Sequence, residues 1–299
     1  MPRSRPLGAA IGLLADRVLG EPAVSPHPVA VLGSALGAVE RHLYTDDRRH
    51  GVAHAAAGVA IGASAGLAVR STALATYVAV SGRALGDAAL AVGDALAAHD
   101  VERGRELIPA LVGRDPSAMD EKDLARAAVE SVAENTVDAI VAPSLWGAVA
   151  GAPGALAFRA VNTMDSMVGH RSPRYERYGW AAARLDDVAA WAPARVTAAL
   201  VAATRPRAAM AIAKAVRLDA PGHPSPNSGV AEAAFAAALG LRLGGTNRYG
   251  DRVEVRPPLG SGRPAEAADI AAAVQLSRDV TVALAGGLAA VSLVSWWRR

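Results

Sequence analysis

The sequence lacks cysteine entirely, and its only two lysines among 299 residues are Lys122 and Lys214. The absence of cysteine excludes disulfide bonds and thiolate chemistry. Aromatic residues make up only 4% of the chain, and no basic patch is interleaved with them. A net charge of +3 beside apolar stretches is typical of the flanks of membrane segments. We therefore expect no nucleic-acid partner.

Several motifs that identify common enzyme classes are also missing. The chain has no phosphate-binding G-x-x-x-x-G-K-[ST] loop, no dinucleotide-binding glycine pattern, no G-x-S-x-G turn and no H-E-x-x-H pair. The seven histidines are scattered along the sequence. A zinc site and the common nucleotide-binding folds are therefore not expected.

Long apolar windows are the main feature that is present. Hydrophobic residues make up 52% of the chain, and its mean hydropathy is +0.22. A helix needs about 20 mainly apolar residues to cross a bilayer. The last window ends in SWWRR, and interfacial tryptophans followed by arginines predict a cytoplasmic end. The predicted spans are residues 51–69, 72–98, 137–158, 188–203 and 280–297.

We predict an all-α fold, a polytopic integral membrane protein that forms one domain over residues 1–299. Ala, Leu, Arg and Glu dominate the periodic segments, which favours helix. Most of the charge lies in long polar loops between the apolar windows. The segment GGTNRYGDRVEVRPPLG is the exception, because its turn residues flank an alternating run and predict a short hairpin near 245–256.

The stretch ESVAENTVDAIVAP, which begins at Glu130, joins an acidic half to an apolar run. On a helix capped by Asp120, the side chains of Glu130, Glu134 and Asp138 recur every four residues and share one face. Like charges at this spacing destabilise a helix slightly. Two interpretations stay open. One is a solvated acidic face, and the other is a Mg²⁺ site, since Mg²⁺ bridges carboxylates to substrate phosphates.

A second polar segment, RAVNTMDSMVGHRSPRYERYGWAAARLDDV, also places acids just before an apolar window. An ordinary charged connector with weak surface ion pairs is the alternative to a functional cluster. The loop DAPGHPSPNSG forms a third candidate, because a helix that begins at Asn227 or Ser228 would favour an anion at its N-terminus. A simple capped turn explains this third pattern equally well.

Four segments together strongly resemble the CobD/CbiB family of adenosylcobinamide-phosphate synthases. The central one is VESVAENTVDAIVAPSLWGAVAGAPGALAFRAVNTMDSMVGHRSPRYERYGWAAARLDDV, and the others include HPSPNSGVAEAAFAAALGLRLGG and NRYGD. The fourth matches the family's N-terminal pattern at Asp16, Gly20, Glu21, Pro22, His27 and Pro28. Asp251 and Gly222 depart from the family pattern, and Arg217 is expected to replace a basic residue missing at Gly222.

The resemblance implies an ATP-dependent amide ligation in cobalamin biosynthesis. The partners would be adenosylcobyric acid, aminopropanol or its phosphate, and the lipid bilayer. ATP would be a co-substrate and Mg²⁺ a cofactor, because transfer of a phosphoryl group to the carboxylate depends on metal ions and positive groups. The active site of this multi-pass cell-membrane protein would be cytoplasmic.

The resemblance and the residue types give candidate roles. The predicted Mg²⁺ ligands are Glu130, Glu134 and Asp138. The predicted catalytic residues are Glu130, Glu134, Asn135, Asp138, Asp165, His170, Arg184, Asp186 and Asp187. The predicted substrate and phosphate contacts are Asn162, Arg171, Arg217, Ser225 and Asn227. A transporter and a Mg²⁺-dependent membrane phosphotransferase are the alternative functions, although neither the repeats of the former nor the aspartate motif of the latter is evident.

Overall fold

The computed structural model describes residues 4–170, 172–249 and 252–297, and these residues are mostly helical. The chain divides into two units whose segments are interleaved along the sequence. Unit 1 comprises residues 1–81, 138–193 and 284–299, and unit 2 comprises residues 82–137 and 194–283. The sequence predicts one domain, because interleaved segments leave no linker to mark a boundary.

Unit 1 is built from helices of unequal length. They are α1 (Arg5–Leu19), α2 (Pro28–Leu43), α3 (Arg48–Val69), α4 (Thr72–Ala79), α8 (Ala142–Met164) and α9 (Trp180–Ala189). The carboxylate of Asp47 starts α3 by accepting hydrogen bonds from the backbone N–H groups of Arg49 and His50, at 2.7 and 3.0 Å. A buried cluster around Leu36, Met164 and Tyr178 forms part of the core.

Helices α3 and α8 approach each other through glycines spaced four residues apart. A Cβ atom built on Gly62 would lie 2.5 Å from the carbonyl oxygen of Leu156, and one on Gly66 would lie 2.4 Å from Pro153. Gly58 in turn faces Met164. Small residues at this spacing let helix backbones pack closely, as they do in membranes.

Unit 2 combines helices with a small sheet. Its helices are α5 (Gly82–Ala97), α6 (Val101–Leu107), α7 (Glu121–Thr136), α10 (Trp191–Thr204, whose first residues belong to unit 1), α11 (Ala209–Leu218) and α12 (Ser228–Leu239). The strands are β1 (Leu241–Tyr249), β2 (Arg252–Leu259) and β3 (Arg263–Pro264). Helix α13 (Ala267–Trp297) starts in unit 2 and ends in unit 1.

The sheet has the order β2–β1–β3 among the described residues. Strands β1 and β2 form an antiparallel hairpin with a bulge between Leu243 and Gly245, and β3 pairs parallel to β1. A hairpin thus occupies the region predicted near 245–256, although it extends further in both directions. Gly240 adopts φ +68°, and this left-handed residue ends α12 just before β1 begins.

Three helical segments of the described chain are long and apolar enough to cross a membrane. They are Arg48–Val69, the continuous segment Glu121–Gly169 and Ala267–Trp296, which include the predicted spans 51–69, 137–158 and 280–296. Helix α8 contains an internal kink, because Gly151 has φ +74° and Pro153 follows it.

The other two predicted spans are not single long helices. The window 72–98 divides into α4 and α5, because Val80 adopts an extended conformation that ends α4 after eight residues. The window 188–203 is shared between the end of α9 and the 14-residue helix α10. Neither α4 nor α10 reaches the length of about 20 residues that a spanning helix requires.

Candidate active site

Helix α7 in unit 2 carries the first predicted acids. Asp120 caps its first turn by accepting a hydrogen bond from the backbone N–H of Asp123 at 2.8 Å. Glu130 is almost completely buried, with a side chain that is 1% exposed, and it forms an ion pair with Arg114 at 2.6 Å. The backbone N–H of Gly244, at the bulge of β1, donates to the other Glu130 oxygen at 2.8 Å. Glu130 is therefore not part of a solvated helix face.

Glu134 lies one turn further along α7 and is partly exposed. Its Oε1 accepts a hydrogen bond of 2.7 Å from the hydroxyl of Ser228, at the start of α12. Asn135 donates to the backbone oxygen of Ser131 at 3.0 Å, within its own helix. The structure thus brings the predicted Glu130 and Glu134 together with α12 and the hairpin.

The loop before α12 is held by its own side chains. The Ser225 hydroxyl accepts hydrogen bonds from the backbone N–H groups of Asn227, at 3.3 Å, and Ser228, at 3.2 Å. Asn227 precedes α12 but makes no side-chain capping bond, and its Oδ1 accepts from Arg195 at 2.9 Å. The sequence predicts either an anion site or a simple capped turn at this point. In the structure, the backbone N–H groups of Asn227 and Ser228 already donate to the Ser225 hydroxyl.

Glu232 on α12 completes the cluster and was missed by the sequence analysis. Its side chain is fully buried, and neither carboxylate oxygen has a hydrogen-bond partner among the described residues. Nε2 of His223 lies 3.5 Å away and Nη1 of Arg256 lies 3.9 Å away. The sequence does contain a signal for Glu232, which is the one acid in the alanine-rich run VAEAAFAAAL. A charged residue in such an apolar helix has no partner on its own helix, so it needs one elsewhere.

Burial has the largest effect on the protonation of Glu232 and His223. Desolvation raises the pKa of Glu232 well above its ordinary value, the charges of Glu130 and Glu134 raise it further, and Arg256 and Arg114 oppose the shift. Desolvation also lowers the pKa of His223, and the positive charge of Arg256 adds to this effect. The neutral forms of both groups are therefore favoured, which suits proton transfer near neutral pH.

A second group of predicted residues lies in unit 1. Asn162 donates to Asp186 at 3.4 Å, and Arg184 forms an exposed ion pair with Asp187 at 3.1 Å. Burial raises the pKa of the Asp187 carboxyl, although Arg184 opposes this shift. His170 is exposed and contacts the ring of Tyr175 edge-on, at a centroid distance of 5.1 Å.

Two π-helical turns carry the remaining predicted acids of unit 1. Asp138 lies in the turn Val137–Val141, between α7 and α8, and Asp165 begins the turn Asp165–Gly169 after α8. Such turns widen the helix by one residue and occur often at functional sites. The sequence spacing predicts Asp138 on the same helix face as Glu130 and Glu134. The wider turn interrupts the regular helix on which that prediction depends.

Two predicted arginines remain, and the one that the structure describes, Arg217, does not join these groups. Arg217 is exposed on the last turn of α11, and Arg195 and Arg256 are the arginines that contact the loop before α12. Arg171 lies outside the described residues. Arg114 and Arg256 were missed because the buried acids that they approach, Glu130 and Glu232, lie 16 and 24 residues away in sequence.

The predicted Mg²⁺ ligands fit the metal only in part. No three His, Asp or Glu side chains gather as a metal cluster within the described ranges. The oxygens of Glu130 are engaged by Arg114 and Gly244, and Asp138 belongs to unit 1. Glu134 supplies a partly exposed carboxylate of the type that Mg²⁺ takes together with substrate phosphates. A role for Mg²⁺ stays a prediction.

The fold and this arrangement define a mostly helical protein with membrane-length helices and a buried cluster of carboxylates, arginines and a histidine. Comparison with known proteins gives its family. The model of the CobD/CbiB family matches residues 9–277. The cobalamin biosynthesis protein CobD of Mycobacterium tuberculosis (strain H37Rv) is 46% identical over 312 residues, covering 99% of this chain and 97% of that protein.

Other bacteria have similar proteins. The cobalamin biosynthesis protein CobD of Geobacter metallireducens is 41% identical, with 83% of this chain and 84% of that protein covered. The protein of the same name from Rhodobacter capsulatus is 46% identical, with coverage of 71% and 67%. No solved structure matches the chain. The chain belongs to the CobD/CbiB family.

Proposed function

We propose that this protein is an enzyme of cobalamin biosynthesis that acts on a corrinoid substrate. The reaction is the ATP-dependent formation of an amide between a carboxyl group of adenosylcobyric acid and the amine of aminopropanol or its phosphate. Family membership supports the pathway. The observation that carries the chemistry is the cluster of Glu130, Glu134 and Glu232 with Arg256 and His223 in unit 2.

The ligation needs an activated carboxylate, because an amine and a carboxylate do not condense readily in water. Transfer of the γ-phosphoryl group of ATP to the substrate carboxylate releases ADP and gives an acyl phosphate. The amine nitrogen then forms the amide bond, phosphate leaves, and the nitrogen loses a proton. Positive groups near the transferred phosphoryl group stabilise its charge, and Arg195 and Arg256 are the candidates beside the loop.

Glu134 is the candidate for positioning the amine, because its carboxylate is partly exposed and held by Ser228. Glu134 is also the residue that would hold Mg²⁺ together with the phosphates of ATP. Bound Mg²⁺ would neutralise phosphate charge during the transfer. Arg114 and the Gly244 N–H fix Glu130, and Glu130 in turn adds negative charge near Glu232.

The predicted site residues of unit 1 form a second part of the proposal. Asn162 and Asp186, with Asp138 and Asp165 at the π-helical turns, would orient substrate. The protein would be a multi-pass protein of the cell membrane with a cytoplasmic active site. The three membrane-length helical segments support the membrane assignment, and the terminal arginines support the orientation.

The function is tested with purified protein in lipid nanodiscs. The protein is incubated with adenosylcobyric acid, ATP, Mg²⁺ and either aminopropanol or aminopropanol phosphate, and products are measured by mass spectrometry. We expect one corrinoid amide and one ADP for each turnover, and loss of both with EDTA. If neither amine gives a corrinoid amide, the proposed ligase activity is wrong.

The role of Glu134 has a sharper test. Glu134→Gln should lower kcat about 100-fold or more, because loss of a positioned catalytic group typically costs that much. Glu106→Gln is the matched control, since Glu106 is an exposed unit 2 acid paired with Arg103. Activity of Glu134→Gln equal to that of the control would remove Glu134 from the active site.

A further inference from the structure

Unit 1 contains a cavity of about 570 Å³ that the proposed ligase chemistry does not use. This volume lies within the range of about 300–1,000 Å³ that is usual for ligand pockets. Aliphatic side chains from α2, α3, α4 and α8 form most of its wall, including Leu32, Val69, Val78 and Leu156. Arg159 of α8 is the one charged side chain among the lining residues. The cavity therefore suits a ligand that is mainly apolar and carries a charged group at one point.

The N-terminal motif GEPAVSPHP forms another part of the same wall. Pro22, Ala23, Val24 and Pro28 line the cavity, whereas none of the proposed catalytic residues comes from this motif. The exposed carboxylate of Glu21 lies close enough to Arg159 to interact with it electrostatically. This segment thus contributes apolar residues to the wall of the cavity, and it places the negative charge of Glu21 near the positive charge of Arg159.

Arg159 itself is incompletely satisfied. Its Nε is buried and has no hydrogen-bond partner within the described residues. The neighbouring charges are the carboxylates of Glu21 and Asp138, both of which interact electrostatically with the guanidinium. Nε2 of His27, in the same motif, is also buried without a hydrogen-bond partner in the part of the chain that the structure describes. Buried polar atoms in native proteins normally have partners, so the unpaired Nε of the cavity-lining Arg159 indicates a bound group with acceptor oxygens.

The surroundings favour a lipid over a water-soluble ligand. Helix α3 and the segment that contains α8 are both long and apolar enough to cross a membrane. The cavity wall is almost wholly hydrocarbon, and burial of CH₂ groups in such a wall stabilises an acyl chain. An arginine flanked by two carboxylates complements a head group with both a phosphate and an ammonium group.

We propose that this cavity binds a phosphatidylethanolamine molecule of the bilayer. One acyl chain fills the space between α3, α4 and α8, and the phosphodiester accepts hydrogen bonds from Arg159. The ammonium group lies towards the exposed carboxylate of Glu21. This proposal does not depend on the ligase activity, because its readout is lipid binding.

The test uses the full-length protein purified in a delipidating detergent, then titrated with defined lipids and measured by native mass spectrometry. Ala65→Phe fills the cavity, since Ala65 lines it and is exposed there. Ala68→Phe is the matched control, because Ala68 is an exposed residue of α3 outside the lining. We expect Ala65→Phe to lower retention of phosphatidylethanolamine about tenfold and Ala68→Phe to leave it unchanged.

A second pair of variants tests the charged end of the cavity. Arg159→Gln should lower retention of phosphatidylethanolamine about fivefold, whereas Arg41→Gln, an exposed arginine of α2, should not. Phosphatidylglycerol, which lacks the ammonium group, should bind several-fold more weakly to the unchanged protein. Soluble ethanolamine phosphate should not displace the lipid.

Three results would overturn the proposal. They are equal retention by Ala65→Phe and Ala68→Phe, equal binding of the two lipids, and displacement by ethanolamine phosphate. The last would assign the charged end to a soluble phosphate ester. Circular dichroism of each variant verifies that the helices are intact before retention is compared.

Discussion

The two units of this protein differ in what they bury and what they expose. Most of the large hydrophobic side chains that are exposed in the described residues belong to unit 1, such as Leu7, Ile11 and Leu14 on one face of α1. Unit 2 exposes fewer such side chains and buries charged groups close to one another, with Glu130 paired to Arg114 and Glu232 close to His223. An apolar exterior is expected for helices in lipid, and a buried charged cluster is expected for a reaction site.

Two kinds of packing therefore stabilise this protein, one in each unit. In unit 1, α3 and α8 are close because Gly62 and Gly66 have no side chains. In unit 2, α7, α12 and the hairpin are joined by side-chain and backbone hydrogen bonds to Glu130 and Glu134. Steric changes should therefore disrupt unit 1 most, and charge changes should disrupt unit 2 most.

The largest effect is expected for Glu130→Ala in unit 2. Removal of one partner of a buried ion pair leaves the other charge uncompensated, and it should lower the free energy of unfolding by about 3–5 kcal/mol. Arg114, only 5% exposed, would be that uncompensated charge. Thermal unfolding in detergent measures the change. Glu106→Ala, at an exposed pair, should cost about 1 kcal/mol or less, and an equal cost for both variants would contradict the comparison.

The next largest effect is expected for Gly62→Leu in unit 1. The new side chain would meet the backbone of Leu156 and Ala157, and overpacking costs about 1–3 kcal/mol or more where backbone must move. Gly286→Leu is the control, because a Cβ at Gly286 meets nothing within 4 Å. Yield of folded protein and thermal unfolding are the measurements. If both leucines are tolerated equally, close helix packing is not what holds α3 to α8.

A smaller, pH-dependent effect is expected for Glu232→Gln. The raised pKa of Glu232 means that its contribution to stability is fully present below about pH 4.5 and is lost as pH rises through the folded-state pKa. The unchanged protein should therefore lose thermal stability as pH rises above about 4.5, until the folded-state pKa of Glu232 is passed. Glutamine cannot ionise, so the variant should show a shallower decline. Parallel declines would show that Glu232 does not titrate differently in the folded state.

The smallest effect on stability is expected for Arg184→Ala in unit 1. Its ion pair with Asp187 is exposed on the arginine side, and removal of such a pair changes stability by about 0.5 kcal/mol or less. Ligase activity of the same variant separates a structural role from a functional one. Lost activity with unchanged unfolding supports the predicted role of Arg184, and unchanged activity contradicts it.

The sequence was most informative where the signal is local. The acidic spacing of α7 identified Glu130 and Glu134, and the turn residues around Asn247 identified the hairpin. The three membrane-length helices were also predicted from apolar windows. Spacing on one helix shows which residues share a face, and this part of the prediction needs no tertiary information.

The missed features depend on contacts between distant segments. Glu130 is paired with Arg114 and the Gly244 N–H, and Glu232 approaches Arg256. No helical periodicity connects these residues, because they meet only when α7, α12 and the hairpin pack together. The predicted spans 72–98 and 188–203 do not each form one long helix. For 72–98 the reason is that hydropathy averages do not detect the break at Val80.

The interleaved chain path has a consequence for biosynthesis. The last segment of unit 1 begins at Leu284, and the ribosome makes it only after all of unit 2. Domains generally fold as the chain emerges, with N-terminal parts first. A delay therefore separates the first two segments of unit 1 from its last segment, which follows unit 2 in the chain. A chaperone or insertase that shields apolar helices during this delay would therefore be more important for this protein than for one whose units follow each other in sequence.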